Sequence, residues 1–343
     1  MTYKVAVFIG RFQPLHNSHL SEIKRSLEIA ETLILVIGSD RTSRTPKNPF
    51  SGDQRREMIE RSLNDDDLQR VHLVFARDYL YNDTQWFSEI ARLVEQKMSE
   101  LNISGKVCLT GCNKDESSYY IASLPDSWKR EIIHVPNKNL SATDIRRKLF
   151  EGKNPKNIKD VPRGVKAFLI EWVMEDDFVA LQKEYQFYEG YKEQFQSLPY
   201  PPVFITTDAV VIKNGCVLVV ERGQNPGVGM LALPGGHLNV RKGLLDNAIK
   251  ELKEETSINI NADYLKNLNP ESKVFDHPDR SLRGRTVTHG FCFKLSDGGR
   301  LPEVKGGDDA AKAWWMPIEE AYERSAEFFE DHIHIIRYFT RRY

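Results

Sequence analysis

Apolar residues follow two rhythms along the first half of the chain. Short unbroken runs at residues 4–9, 33–38, 71–76, 106–110 and 132–135 predict strands buried on both faces. Between the first two runs Leu20, Ile23, Leu27 and Ala30 recur at helical spacing, and helices are expected again over 86–101 and 143–150. Strand, helix and strand in such close succession form the βαβ unit of a parallel sheet. The expected fold is therefore α/β, a doubly wound parallel sheet whose ligands gather at the carboxyl ends of its strands.

Residues 161–195 turn helical and aromatic-rich until Ser197-Leu-Pro-Tyr-Pro-Pro202 ends the pattern, because proline lacks the N–H a helix needs. Beyond this break the rhythm changes. Runs at 203–212 and 217–221 flank Lys213-Asn-Gly-Cys216, a hairpin signal, and further strands are expected at 273–275, 286–295 and 313–316. One helix is expected over 243–256, giving an α+β domain. The expected division is a first domain at 1–185, a linker at 186–202 and a second domain at 203–343.

Composition narrows the classes. With 48 Lys and Arg against 49 Asp and Glu the net charge is −1, so the broad basic field that nucleic acid requires is absent. No apolar run approaches the ~20 residues that span a bilayer, and the N-terminus lacks a signal-peptide layout. The four cysteines show no bridge framework, and Cys108 and Cys112 have no second ligand pair at zinc spacing. A cytoplasmic location is expected, and a homo-oligomer is compatible with all of this.

Four segments carry candidate chemistry. Gly10-Arg-Phe-Gln-Pro-Leu-His16-Asn-Ser-His19 links the first strand to its helix, where free N–H groups and the positive dipole end suit phosphate. Gly10 lets a polyphosphate approach the backbone, and His16 and His19 can point the same way. Downstream, Ser141 or Thr143 can cap a helix whose first turn holds Arg146, a cation placed against the dipole unless an anion neutralises it. In the second half Leu233-Pro-Gly-Gly236 leads to a helix with Glu251, Glu254 and Glu255 on one sector, a set of carboxylates suited to a hard cation or to a solvated face. Arg280, Arg283 and Arg285 follow in one short segment, suited to a diphosphate.

The first segment resembles the nucleotidyltransferase signature, Gly…Phe…Pro…His-x-Gly-His, with Ser18 in place of the glycine, and Leu140–Arg146 resembles the downstream Ser/Thr-x-x-x-Arg element. Lys47-Asn48-Pro-Phe50 and Asn82-Asp-Thr-Gln-Trp86 resemble segments of the nicotinamide mononucleotide adenylyltransferases. The resemblance implies ATP and nicotinamide mononucleotide as substrates and NAD as product. It assigns His16, His19 and Arg146 to catalysis and Gly10, Arg11, Phe12, Lys47, Asn48, Asn82, Trp86, Ser141 and Thr143 to binding. An indole face at Trp86 would stack on the pyridinium, although the same residue could anchor its helix. The later helix resembles the Nudix box, with Gly236, Glu251, Leu252, Glu254, Glu255 and Ile258 in register and with Lys242, Lys250 and Ser257 replacing Glu, Arg and Gly. That resemblance implies hydrolysis of ADP-ribose with Mg²⁺ (or Mn²⁺) held by Glu251, Glu254 and Glu255. Glu254 and Glu255 would act in catalysis, Arg280, Arg283 and Arg285 on the substrate, and Asp308-Asp309 as a late acidic base. Two alternatives stand: a different phosphate acceptor such as phosphopantetheine or a sugar-alcohol phosphate, and a second domain that senses nucleotide without cleaving it, which Lys242 favours.

Overall fold

The computed structural model describes residues 2–111, 124–134 and 140–341. The chain forms two compact units, 1–183 and 184–343. In the first unit the elements run β1 (Tyr3–Gly10), α1 (Asn17–Ile29), β2 (Ala30–Ile37), α2 (Gly52–Glu60), α3 (Asp65–Arg70), β3 (Val71–Phe75), α4 (Asp83–Glu100), β4 (Val107–Gly111), β5 (Lys129–Ile132), α5 (Ala142–Phe150), α6 (Arg163–Trp172) and α7 (Asp176–Glu193). The strands pair in the order β3-β2-β1-β4-β5 and every pairing is parallel. Val5, Ala6 and Val7 in β1 and Leu33 to Ile37 in β2 are fully buried. Covered on both faces, such strands read as unbroken apolar runs.

Some expectations shift. Helix α1 begins at Asn17, so Ser18 and His19 lie inside it. Helices α2 and α3 show no apolar period, and α2 buries the charged Arg55 beside Met58 and Ile59; Ser51 and Asn64 start them by accepting N–H bonds from Gln54 and Asp67. The strand expected at 132–135 is found at Lys129–Ile132, and Cys112 and Val135 lie outside the described residues. Helix α7 continues through 186–193, where a linker was expected, and the division between units falls within it. Among the described residues no helix is long and apolar enough to cross a membrane.

The second unit continues with β6 (Val203–Lys213), β7 (Cys216–Arg222), β8 (Leu231–Ala232), β9 (Gly235–His237), α8 (Leu244–Thr256), α9 (Ala262–Asn267), β10 (Glu271–Phe275), β11 (Arg285–Lys294), β12 (Ala310–Pro317), α10 (Ile318–Glu323) and α11 (His332–Thr340). The sheet order is β10-β11-β6-β7-β12, mixed because β11 runs parallel to β6 while its other pairings are antiparallel. Asn214 and Gly215 both have positive φ, the two-residue turn expected for the Asn-Gly hairpin. Strands β6 and β7 pair only beside that turn and then part, so β9 pairs with β6 and β8 with β7. The parted strands hold Leu233-Pro-Gly-Gly236 against helix α8.

Helix α8 ends at Ser257 in the left-handed region, φ 51°, the position that favours glycine. A serine there is strained by about 1 kcal/mol. Ser257→Gly is expected to raise the thermal midpoint of the second unit by about 3 °C, read in the transition that this unit contributes to a calorimetric scan.

Candidate active sites

The loop after β1 is fastened by its own side chains. His16 caps α1: its Nδ1 accepts the His19 N–H at 3.4 Å, while His19 Nδ1 accepts the His16 N–H at 3.4 Å. With both Nδ1 atoms used as acceptors, each neutral ring carries its hydrogen on Nε2. The rings stack with centroids 3.5 Å apart. Helix α1 has no acidic residue in its first turn, so its dipole end is not offset there. Ser18 is buried and takes ordinary helical backbone, so this position does not demand glycine.

Phe12 is packed inward. It is buried with φ 52°, and its ring meets His19 edge-on at 5.0 Å. A side chain at Gly10 would collide with that ring at 2.6 Å. Phe12 thus backs His19, and its ring leaves no room for a side chain at position 10.

Three segments converge on Arg146. Its Nε donates to Pro46 O at 3.1 Å, Nη1 to Gln13 O at 2.6 Å and Nη2 to Thr143 Oγ1 at 3.1 Å. It is 8% exposed and, among the described residues, binds no carboxylate; burial, and then the charge of Arg11, bring its pKa down to about 10. Ser141 caps α5 by accepting the Thr143 N–H at 3.2 Å. Gln13, unmarked in the sequence, pairs with Phe50 like a strand neighbour, donating to its carbonyl at 2.9 Å and accepting its N–H at 3.0 Å. Arg55, equally unmarked in a polar helix, is 1% exposed and donates to the carbonyls of Arg11, Gly38, Ser39 and Ser51. Arg11 is exposed nearby. Lys47 and Asn48 lie half-buried on the segment joined to Gln13, and Asn48 Oδ1 is buried without a hydrogen-bond partner. Asn82 caps α4 through the Gln85 N–H at 3.1 Å, placing Trp86 in the first turn, half-buried against the core and Phe87.

In the second unit Glu255 is buried and accepts the Gly235 N–H at 3.1 Å; burial pushes its pKa up to about 8. Asp208, unmarked by any motif, sits on β6 opposite Gly235, buried, with Oδ2 unpartnered; burial raises its pKa to about 7. Lys250 Nζ bonds Glu251 at 3.0 Å and also holds Glu254. Among the described residues no three His, Cys, Asp or Glu side chains are gathered closely enough to hold a cation. The lysine that replaces the box arginine turns Glu254 aside. The donor set nonetheless fits a hard divalent cation, because carboxylate oxygens are hard donors, a bound cation favours their ionised form, and Asp208 Oδ2 has no hydrogen-bond partner.

The three arginines separate. Arg280 is 4% exposed and its fork is filled by Asp331 at 2.6 and 2.9 Å, so it is a buried clamp rather than a diphosphate contact. Arg285 donates to Asp276 O. Arg283 lies 3.4 Å from Glu330 and over the Phe329 ring, which Arg222 covers at 4.1 Å. Asp308 and Asp309 are exposed, and Asp309 accepts from Gln224, while the adjacent Gly307 N–H donates to the Glu255 carbonyl at 3.1 Å. Lys242 is exposed before α8, and a rise of ten residues separates Leu244 from Glu254 by about 15 Å, so water screens its charge from Glu254.

His332 is buried, and its Nδ1 accepts the Leu233 N–H at 2.8 Å. Burial brings its pKa down to about 3 from an ordinary 6.5. The folded state requires the neutral ring, so this contribution to stability is complete above pH 6.5 and declines as pH falls toward 3. His332→Asn keeps an acceptor for Leu233 and is expected to flatten the acid side of the stability curve by up to about 1.4 kcal/mol per pH unit, measured by urea unfolding between pH 4 and 7.

Residues 7–148 match the cytidylyltransferase-like family profile and residues 204–339 the NUDIX domain profile. The nicotinamide/nicotinic acid mononucleotide adenylyltransferase of Acinetobacter baylyi is 34% identical over 180 residues, 52% of this chain and 92% of that protein. The nicotinamide-nucleotide adenylyltransferase of Thermococcus kodakarensis is 31% identical over 49% of this chain and 83% of that protein. A bifunctional NMN adenylyltransferase/ADP ribose pyrophosphatase from Francisella tularensis, solved with AMP and a Mn ion, superposes with a TM-score of 0.90 at 33% identity, covering 99% of each chain. Matched in both halves and in the same order, the chain belongs to the family of bifunctional NMN adenylyltransferase/ADP-ribose pyrophosphatases.

Proposed function

We propose that residues 1–185 join ATP to nicotinamide mononucleotide, giving NAD and pyrophosphate, and that residues 203–343 hydrolyse ADP-ribose to AMP and ribose 5-phosphate. The observation that carries the first reading is Arg146, a buried guanidinium solvated by neutral oxygens, which keeps a full positive charge for an anion. A phosphate oxygen of the mononucleotide attacks the α-phosphorus of ATP, a new P–O bond forms and the bond to the leaving pyrophosphate breaks. The Nε2–H groups of His16 and His19, the N-terminus of α1 and Arg146 meet the charge that develops on the phosphoryl oxygens. Arg11 and Lys47 reach the outer phosphates, Asn48 and Asn82 take polar groups of the mononucleotide, and Trp86 offers an indole face to the pyridinium.

In the second unit Glu251, Glu254 and Glu255 would hold a divalent cation, with Asp208 beside them. A Mg²⁺ or Mn²⁺ ion bound there supplies water activation and neutralises the diphosphate. Arg283 presents its fork to the diphosphate, while Arg280 and Arg285 hold the segment in shape. The free thiols of Cys108, Cys216 and Cys292 suit a reducing compartment, and the proposed location is the cytoplasm.

Purified protein with ATP, Mg²⁺ and nicotinamide mononucleotide is expected to form NAD, followed by chromatography, and Arg146→Lys is expected to lower kcat about 100-fold. Trp86→Ala should raise KM for the mononucleotide about 10-fold and leave KM for ATP within a factor of two; an unchanged KM would instead favour another acceptor. Glu254→Gln/Glu255→Gln should reduce AMP release from ADP-ribose by at least about 100-fold, and a wild type that binds ADP-ribose without releasing AMP would make this unit a sensor.

A further inference from the structure

One buried acid of the second unit has no part in the reading above. Glu330 adopts φ 46°, the left-handed region that non-glycine residues rarely occupy. Its side chain is nevertheless turned inward and only 7% exposed. One carboxylate oxygen lies 3.4 Å from Arg283 Nη2, and the other, Oε1, is buried without a hydrogen-bond partner. The residues around it are bolted down. Phe329 N donates to Leu231 O at 2.8 Å, Asp331 grips Arg280 with both oxygens, and His332 accepts the Leu233 N–H. A strained residue with a half-satisfied carboxylate persists only where its surroundings dictate it, and such residues cluster at working sites.

A further residue near this pair comes from a segment outside the NUDIX match at 204–339. Tyr188, on the part of α7 that belongs to the second unit, is 3% exposed and donates to Glu184 Oε1 at 3.1 Å. It lies near enough to Glu330 and Arg283 to feel both charges. Arg283 itself is 14% exposed, with Ser281 Oγ 3.3 Å from its Nε and the Phe329 ring 5.8 Å away. Its guanidinium is therefore fixed by an acid, a hydroxyl and a ring, and is still accessible to solvent.

We propose that Glu330 is the positioning residue that aims Arg283 at the diphosphate of ADP-ribose, and that Tyr188 closes this device, so that the end of α7 belongs to the hydrolase site. The proposal rests on the reading that Arg283 contacts the diphosphate. Glu330 does not touch the reacting atoms. It sets the direction of the fork and offsets a cation that would otherwise repel the buried Arg222 when substrate is absent.

The test is a double-mutant cycle on the full chain, with AMP release measured alongside calorimetric binding of ADP-ribose in EDTA. Arg283→Ala is expected to lower kcat/KM about 100-fold, Glu330→Gln about 10-fold and mostly through KM, and Glu330→Gln less than about two-fold more in the Arg283→Ala background. Binding in EDTA should weaken in parallel, while formation of NAD by the same preparations stays within a factor of two. Tyr188→Phe should give a loss of a few-fold in the same direction. If Glu330→Gln does not fold, Glu330→Asp, which keeps the charge but shortens the reach, is carried through the same cycle with the same expectation. Unchanged hydrolysis in Arg283→Ala would sink the diphosphate reading and this proposal with it. A damaged Arg283→Ala beside an intact Glu330→Gln, or losses that simply multiply, would overturn the positioning role alone.

Discussion

A guanidinium buried among backbone carbonyls is solvated but not neutralised, because a carbonyl dipole stabilises a cation without cancelling its charge. Arg146 is in that state, bound to Gln13 O, Pro46 O and Thr143 Oγ1. Arg55 is held the same way by four carbonyls, with Asp40 no nearer than 3.9 Å. Burial disfavours both charges, and among the described residues no carboxylate hydrogen-bonds either guanidinium, although Asp40 and Asp78 partly offset Arg55. Two buried cations held by carbonyls where the strand-to-helix loops meet suit a polyphosphate. The same bonds shape the loops, so recognition and architecture depend on one set of contacts.

The second unit poses the reverse problem. Asp208 and Glu255 are buried acids whose pKa values burial pushes up to about 7 and about 8, and a divalent cation relieves them. Lys250 supplies one positive charge in the meantime by bridging Glu251 and Glu254. The arginines at the other side are already committed to different degrees. Arg280 is closed by Asp331, whereas Arg283 is steadied by Glu330 and left partly open. Adjacent arginines of one short segment thus have different uses, which their spacing alone does not distinguish.

Much of this was legible in the residues. The parallel sheet followed from unbroken apolar runs, the hairpin from Asn214-Gly215, and the two sites from motifs fixed to strand ends and helix starts. What escaped was the chemistry of side chains that face inward against the local pattern. Arg55 lies in a helix with no apolar period, and Gln13 behaves as a backbone surrogate for Phe50. Asp208 stands within an apolar strand, and Glu330 is brought to Arg283 by pairing across the fold. Phe12 and Arg280 matched the expected motifs but point into packing and into Asp331, because a motif specifies a residue type and not the direction of its side chain. Ser18, the departure in the first motif, turned out to need no special backbone at all.

The central claim is that buried, unneutralised positive charge binds the nucleotide in the first unit. It is tested most directly by thermal unfolding with a non-hydrolysable ATP analogue at about one hundred times its Kd, where binding stabilises by about 2.7 kcal/mol. The wild type is expected to show that shift and Arg146→Met to lose nearly all of it while remaining folded. An equal shift in the two proteins would contradict the account and make Arg146 a structural cation.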